Sequence, residues 1–138
     1  MADFTGGCAC GAIRYACAGP VKLSLNCHCR DCQRASGSAF ISGIIVANDT
    51  FTFTRGEPTY YSVTADSGTT TTRGFCARCG SPLIVRTLAS PHTVAIAAGS
   101  LDDPSWHRPT VDIWVGSAQP WDVLNPALQS FPKGYHLP

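Results

Sequence analysis

Eight cysteines in 138 residues are the side chains best equipped for chemistry, and seven of them fall into three short clusters. Cys8 and Cys10 stand in "CACG", Cys76 and Cys79 in "CARCG", and Cys27, Cys29 and Cys32 in "CHCRDC". Each pair runs into a glycine, Gly11 or Gly80. When a short loop aims two thiolates at one metal, its N–H groups turn toward the sulfurs, and a following glycine accepts the dihedral this demands. Two such loops, brought together by strand pairing, supply four thiolates about 2.3 Å from a zinc ion, a complete tetrahedral set. Disulfides or free thiols are the competing use of these residues. A bond between cysteines two apart strains disulfide geometry, and a reducing compartment disfavours the cross-paired version. A zinc closed by four thiolates is structural, and its binding energy becomes folding energy.

The trio poses a different problem, because after Cys32 no further cysteine follows until Cys76. Three protein ligands with a fourth position left for water or substrate is the arrangement of catalytic zinc. Such a centre carries a net charge of about −1 and is soft enough to take a thiolate from outside. Arg30 and Arg34 flank the cluster and are candidates to offset that charge or hold a substrate carboxylate, against the plainer use of solvated surface cations. Two other readings compete. Cys29 and Cys32 form a C-x-x-C of the redox kind, although no βαβ pattern surrounds them. Alternatively the trio is a second structural zinc site whose fourth ligand is His28, Cys17, His92, His107 or His136. His28, between two ligands, is expected to point away from the metal they share, and Cys17 to be a small buried hydrophobe at the end of a strand.

Short segments rich in β-branched and aromatic residues, separated by glycine and proline, must position these clusters. They predict strands over 12–17, 40–46, 51–54, 59–63, 69–75, 83–87, 93–99 and 112–116, hence a mostly β fold. Helical stretches are brief: 30–36, a turn around 102–106, and a short piece at 121–124 limited by Pro126. The cysteines fall in the turns: "CACG" before the first predicted strand, "CHCRDC" before 40–46, and "CARCG" between 69–75 and 83–87. Trp106, Trp114, Trp121, Tyr60 and Tyr61 are expected to serve mainly in core or interface packing.

Composition narrows the partners. The length and even composition predict one domain over 1–138, able to bury roughly two-thirds of the surface its unfolded chain exposes. With net charge +1 and 14% charged residues, the chain lacks the basic face that nucleic acid or an anionic membrane demands. "MADFTGGCACG" has no positive n-region followed by an apolar h-region, and no apolar run approaches the ~20 residues that span a bilayer. The expectation is a cytoplasmic protein whose cysteines ligate metal or do redox chemistry. Exposed strand edges make a homodimer plausible.

Taken together, "GGCACGAIRY" (6–15), "CHCRDCQRASGSAF" (27–40), "GFCARCGSPL" (74–83) and, more weakly, "RPTVDIWVGSAQPWDVL" (108–124) resemble the glutathione-dependent formaldehyde-activating (GFA) family, whose relatives include centromere protein V. The resemblance implies a β-tent of antiparallel sheets organised around a structural zinc held by Cys8, Cys10, Cys76 and Cys79. It implies a second, catalytic zinc on Cys27, Cys29 and Cys32, so two Zn2+ per chain, the second site being the one expected to be partly empty. The implied activity is that of a carbon–sulfur lyase forming or breaking S-hydroxymethylglutathione from glutathione and formaldehyde. A zinc-stabilised binding module without catalysis is the alternative. Glutathione carries two carboxylates, for which Arg30, Arg34 and Arg73 are the candidate partners. Relatives often carry histidine where this chain has Asp112, which would put a carboxylate in place of a group able to donate a proton near neutral pH.

Overall fold

The computed structural model describes residues 3–135. Its elements are β1 (Phe4–Gly7), β2 (Arg14–Cys17), β3 (Val21–Cys27), α1 (Arg30–Ser36), β4 (Ile41–Ala47), β5 (Phe51–Arg55), β6 (Thr59–Thr64), β7 (Thr70–Phe75), β8 (Pro82–Thr87), β9 (Thr93–Ala97), β10 (Val111–Ile113) and β11 (Gln129–Ser130). The fold is mostly β, as the segment pattern predicts. Strands β1, β2 and β5 form a small antiparallel sheet, and the other eight form a sheet in the order β11-β10-β3-β4-β9-β8-β7-β6. Every pairing is antiparallel except at one edge, where β10 runs parallel to both β3 and β11. Only hairpin partners are obliged to be antiparallel. β10 is separated from β3 by most of the chain and is free to run either way.

The two sheets share one core. Alternation along β2 buries Tyr15 and Cys17, which with Phe51 of β5 meet Ile44, Val46, Leu83, Ile84, Val94 and Ile96 from the large sheet. Each such aliphatic or aromatic side chain contributes about 1.5–3 kcal/mol by leaving water. Cys17 is a core residue, its sulfur 3.6 Å from the Thr50 hydroxyl.

Three strands, β1, β3 and β11, are not evident from residue type. β1 is "FTGG", where glycine normally weakens a strand. Here Gly6 is required by packing, since a Cβ would collide with the Tyr15 hydroxyl and the Ser100 carbonyl. The turn near 102–106 is a single 3-10 turn over Pro104–Trp106, started by Asp103 accepting from the Ser105 N–H at 3.1 Å. Residues 121–124 are irregular rather than helical. The Asp122 side chain is drawn inward to His28, an anchor that comes from tertiary contact instead of helical hydrogen bonds. Most of the singled-out aromatics do not enter the core. β6 is the outer strand of the large sheet, leaving Tyr60 and Tyr61 exposed; Trp121 is exposed, and Trp106 lies against Phe4 with ring centres 5.2 Å apart.

Candidate metal centres

The first two cysteine loops are built alike. In one, the Gly11 N–H donates to the Cys8 carbonyl and the Ile13 N–H donates to the Cys8 sulfur at 3.3 Å. In the other, the Gly80 N–H donates to the Cys76 carbonyl at 2.8 Å. Gly11 and Gly80 adopt φ of 79° and 77°, the left-handed conformation that favours glycine. Ser81 ties the loops together, its hydroxyl accepting from the Ala9 N–H at 3.0 Å and lying 3.2 Å from the Cys79 sulfur.

The four sulfurs of Cys8, Cys10, Cys76 and Cys79 all lie within 4.8 Å of one another. The Cys8–Cys10 and Cys10–Cys76 separations are 3.7 and 3.8 Å. A tetrahedron with ligand bonds of about 2.3 Å has edges of about 3.8 Å, whereas a disulfide brings sulfurs to about 2.05 Å. The donor set therefore fits a four-thiolate metal and not a pair of disulfides. Hydrogen bonding from Ser81 is the chief cause that lowers the Cys79 pKa to about 5, while Cys10, lowered by the Ala12 N–H, is raised further by sharing protons with its neighbours, to about 11. Cys8 and Cys76 are buried, Cys10 and Cys79 exposed.

The trio is set by the junction of β3 and α1. Cys27 ends β3; Cys29 is the N-cap of α1, its sulfur accepting from the Cys32 N–H at 3.2 Å; Cys32 lies in the first turn. Gly37, with φ of 66°, stops the helix. The three sulfurs lie within 4.8 Å of one another, and no other described His, Cys, Asp or Glu joins them. Hydrogen bonding from the Cys27 and Cys32 thiols, which outweighs burial, holds Cys29 down at about 2. The same sharing pushes Cys27 up. Cys32, lowered by Cys27, is raised further by Cys29 and by burial, to about 11.

None of the described alternatives for a fourth protein ligand reaches this cluster. Cys17 is in the core, His92 is exposed, and His107 directs Nε2 to the Ser42 hydroxyl at 2.6 Å. His136 lies outside the described residues. His28 turns its ring away, as expected, with Nε2 2.8 Å from Asp112 and Nδ1 2.6 Å from Asp122. Asp112 is therefore a buried partner of His28 rather than a free carboxylate facing substrate. The His28 N–H also donates to the Ile113 carbonyl at 3.0 Å, and Gln33 Nε2 donates to the carbonyls of His28 and Ser117 at 2.8 and 3.0 Å. The loop bearing the thiols is fastened to the C-terminal segment.

Among the three arginines, Arg73 of β7 meets the trio, with Nη2 donating to the Cys32 sulfur at 3.3 Å. Burial works against its charge, but Coulomb attraction to the Cys32 sulfur and a hydrogen bond to it, with attraction to Cys29 and Cys27, outweigh burial and raise its pKa. Its Nε and Nη1 are buried without an acceptor. Arg30 and Arg34 are exposed on α1, and Arg30 donates to the Gln33 side chain. Arg73, His28, Asp112, Asp122 and Gln33 thus form the support of the trio. The sequence offered a signal for two of them: Arg73 as a cation beside a cysteine motif, and Asp112 as a departure from a familiar pattern.

The family described as glutathione-dependent formaldehyde-activating enzyme matches residues 3–117, which include all three cysteine clusters and Arg73. A solved structure of a Rhodobacter sphaeroides protein is similar in fold, with a TM-score of 0.58 and 16% sequence identity, covering 92% of this chain and 98% of the other.

Proposed function

The chain belongs to the glutathione-dependent formaldehyde-activating enzyme family, and on that premise we propose that it is a zinc-dependent carbon–sulfur lyase acting on a thiol–aldehyde adduct such as S-hydroxymethylglutathione. The observation that carries this reading is the group of three thiols with a half-buried arginine at their edge. Cys8, Cys10, Cys76 and Cys79 would hold a structural zinc, and Cys27, Cys29 and Cys32 a second one. Zinc bound to the trio would supply an ionised substrate thiol at neutral pH.

The chain's own residues do the rest. Cys27, Cys29 and Cys32 form a soft donor set. Arg73 offsets the negative charge of three thiolates, which favours entry of a further anionic sulfur over neutral water. When the thiolate adds to the aldehyde carbon, the carbonyl oxygen becomes an alkoxide, and the Arg73 Nε and Nη1 hydrogens are donors in need of such an acceptor. His28, held between two carboxylates, fixes the loop on which Cys27 and Cys29 stand. In the lyase direction the Arg73 guanidinium offsets the charge of the departing thiolate, for which zinc held by Cys27, Cys29 and Cys32 would supply a Lewis acid.

The test has two arms. Metal analysis of the purified protein is expected to give up to two zinc ions per chain, and a cobalt-substituted sample should change its spectrum when glutathione is added. NMR exchange in a glutathione–formaldehyde mixture should be faster with enzyme than without. Cobalt spectra indifferent to thiols would indicate a coordinatively closed binding module, and unaccelerated exchange would sink the formaldehyde assignment.

A further inference from the structure

A groove of about 410 Å³ opens between α1 and the large sheet, far more room than a one-carbon aldehyde fills. Its wall is apolar, formed mainly by Ala35, Ile41, Pro82, Leu83 and Ile84. Three connections place the trio at its edge. Ala35 follows Cys32 by three positions on α1, so the two share a helix face. Ile41 lies directly opposite Cys27 across the β3–β4 pair. Arg73, the one charged residue on this wall among those described, touches the Cys32 sulfur.

The charge arrangement decides what enters. Arg73 already faces the thiols, while Arg30 and Arg34 are exposed and absent from the wall. Arg73 is the one cation on the wall, and it serves the thiols and the oxygen of the adduct, so the two carboxylates of glutathione would find no second cation inside, and burying a carboxylate without a partner is strongly unfavourable. An alkyl chain has the opposite preference, each buried methylene favouring binding by roughly fourfold.

Resting on the carbon–sulfur lyase reading above, we propose that the groove binds the chain of an apolar aldehyde several carbons long, so that the substrate is its hemithioacetal with glutathione and the tripeptide body stays outside. The thiolate sulfur bonds to the carbonyl carbon, the C=O π pair moves to oxygen, and the proton lost by the thiol ends on that oxygen. Nothing is oxidised or reduced, and the lyase direction reverses each change.

The experiment uses the metal-loaded protein and two readouts. Calorimetry compares S-methylglutathione with S-hexylglutathione, thioethers that cannot react; the hexyl compound should bind about tenfold tighter or more. NMR exchange compares glutathione with formaldehyde, propanal and hexanal, and acceleration should rise along that series. Ala35→Trp, at an exposed helix position, should fill the groove and collapse the hexyl-to-methyl ratio. Equal binding of the two thioethers, or acceleration of formaldehyde alone, overturns this proposal and leaves the lyase reading standing. Acceleration of no aldehyde removes the lyase reading and this proposal with it.

Discussion

At the scale of single residues, two side chains distinguish this centre from a bare cluster of thiols. Arg73 faces Cys32 with a guanidinium whose other donors lack partners. A charge-assisted hydrogen bond contributes about 1.5–3 kcal/mol, so Arg73→Gln is expected to weaken thiol binding to the cobalt-substituted protein by roughly 10–100-fold. The same variant should need higher pH to bind thiol, because less positive charge stabilises the thiolate; an unchanged pH profile would reduce Arg73 to a packing residue. His28 is 1% exposed and lies between two carboxylates. His28→Leu leaves both carboxylates buried and unpaired and should cost about 3–5 kcal/mol of stability, measured as a shift in the urea midpoint at constant slope.

At the scale of elements, the small sheet depends on β2. Tyr15 is 1% exposed and its hydroxyl lies 2.6 Å from the Ser100 hydroxyl. Burial is the main cause that pushes its pKa up to about 12 from 10.0. A folded pKa above the unfolded one means the contribution is fully present below pH 10 and lost as pH rises through about 12. Over that window stability should fall by up to about 2–3 kcal/mol. Tyr15→Phe should remove that fall while forfeiting about 1 kcal/mol for the lost hydrogen bond. Alkaline denaturation curves of the two proteins that stay parallel through pH 10–12 would assign the fall to other groups. Gly6 belongs to the same arrangement: its missing side chain is the space the Tyr15 hydroxyl occupies.

At the scale of the whole molecule, the four-cysteine cluster spans two sheets that have no strand in common. Cys8 and Cys10 lie between β1 and β2 of the small sheet, Cys76 and Cys79 between β7 and β8 of the large one. A metal held by all four would cross-link the two sheets above their shared core. Chelation, or Cys76→Ser, should therefore lower the melting temperature by ten degrees or more, on the order of several kcal/mol for a chain this size. Cys32→Ser should lower it far less and abolish the thiol-dependent cobalt spectrum. Equal destabilisation by the two variants would contradict this division between a structural and a reactive centre. No helix among the described residues is long and apolar enough to cross a membrane.

The amino-acid sequence by itself determined the local features of both centres. A pair of cysteines with its trailing glycine, and an N-cap cysteine followed three residues later by another, are set by backbone geometry over a few positions. The spacing was therefore enough to group Cys8, Cys10, Cys76 and Cys79 apart from Cys27, Cys29 and Cys32. The β-branched segments revealed most strands for the same reason, whereas β1, with its two glycines, has a reason to exist only against Tyr15. Tertiary structure alone decided which cation and which carboxylates serve the trio. Arg73 and Cys32 are 41 residues apart, Asp112 and His28 84, Asp122 and His28 94. Spacing constrains only residues a few positions apart. Contacts this distant depend on which strands pair and in what register, and those are set by the packing of the entire core.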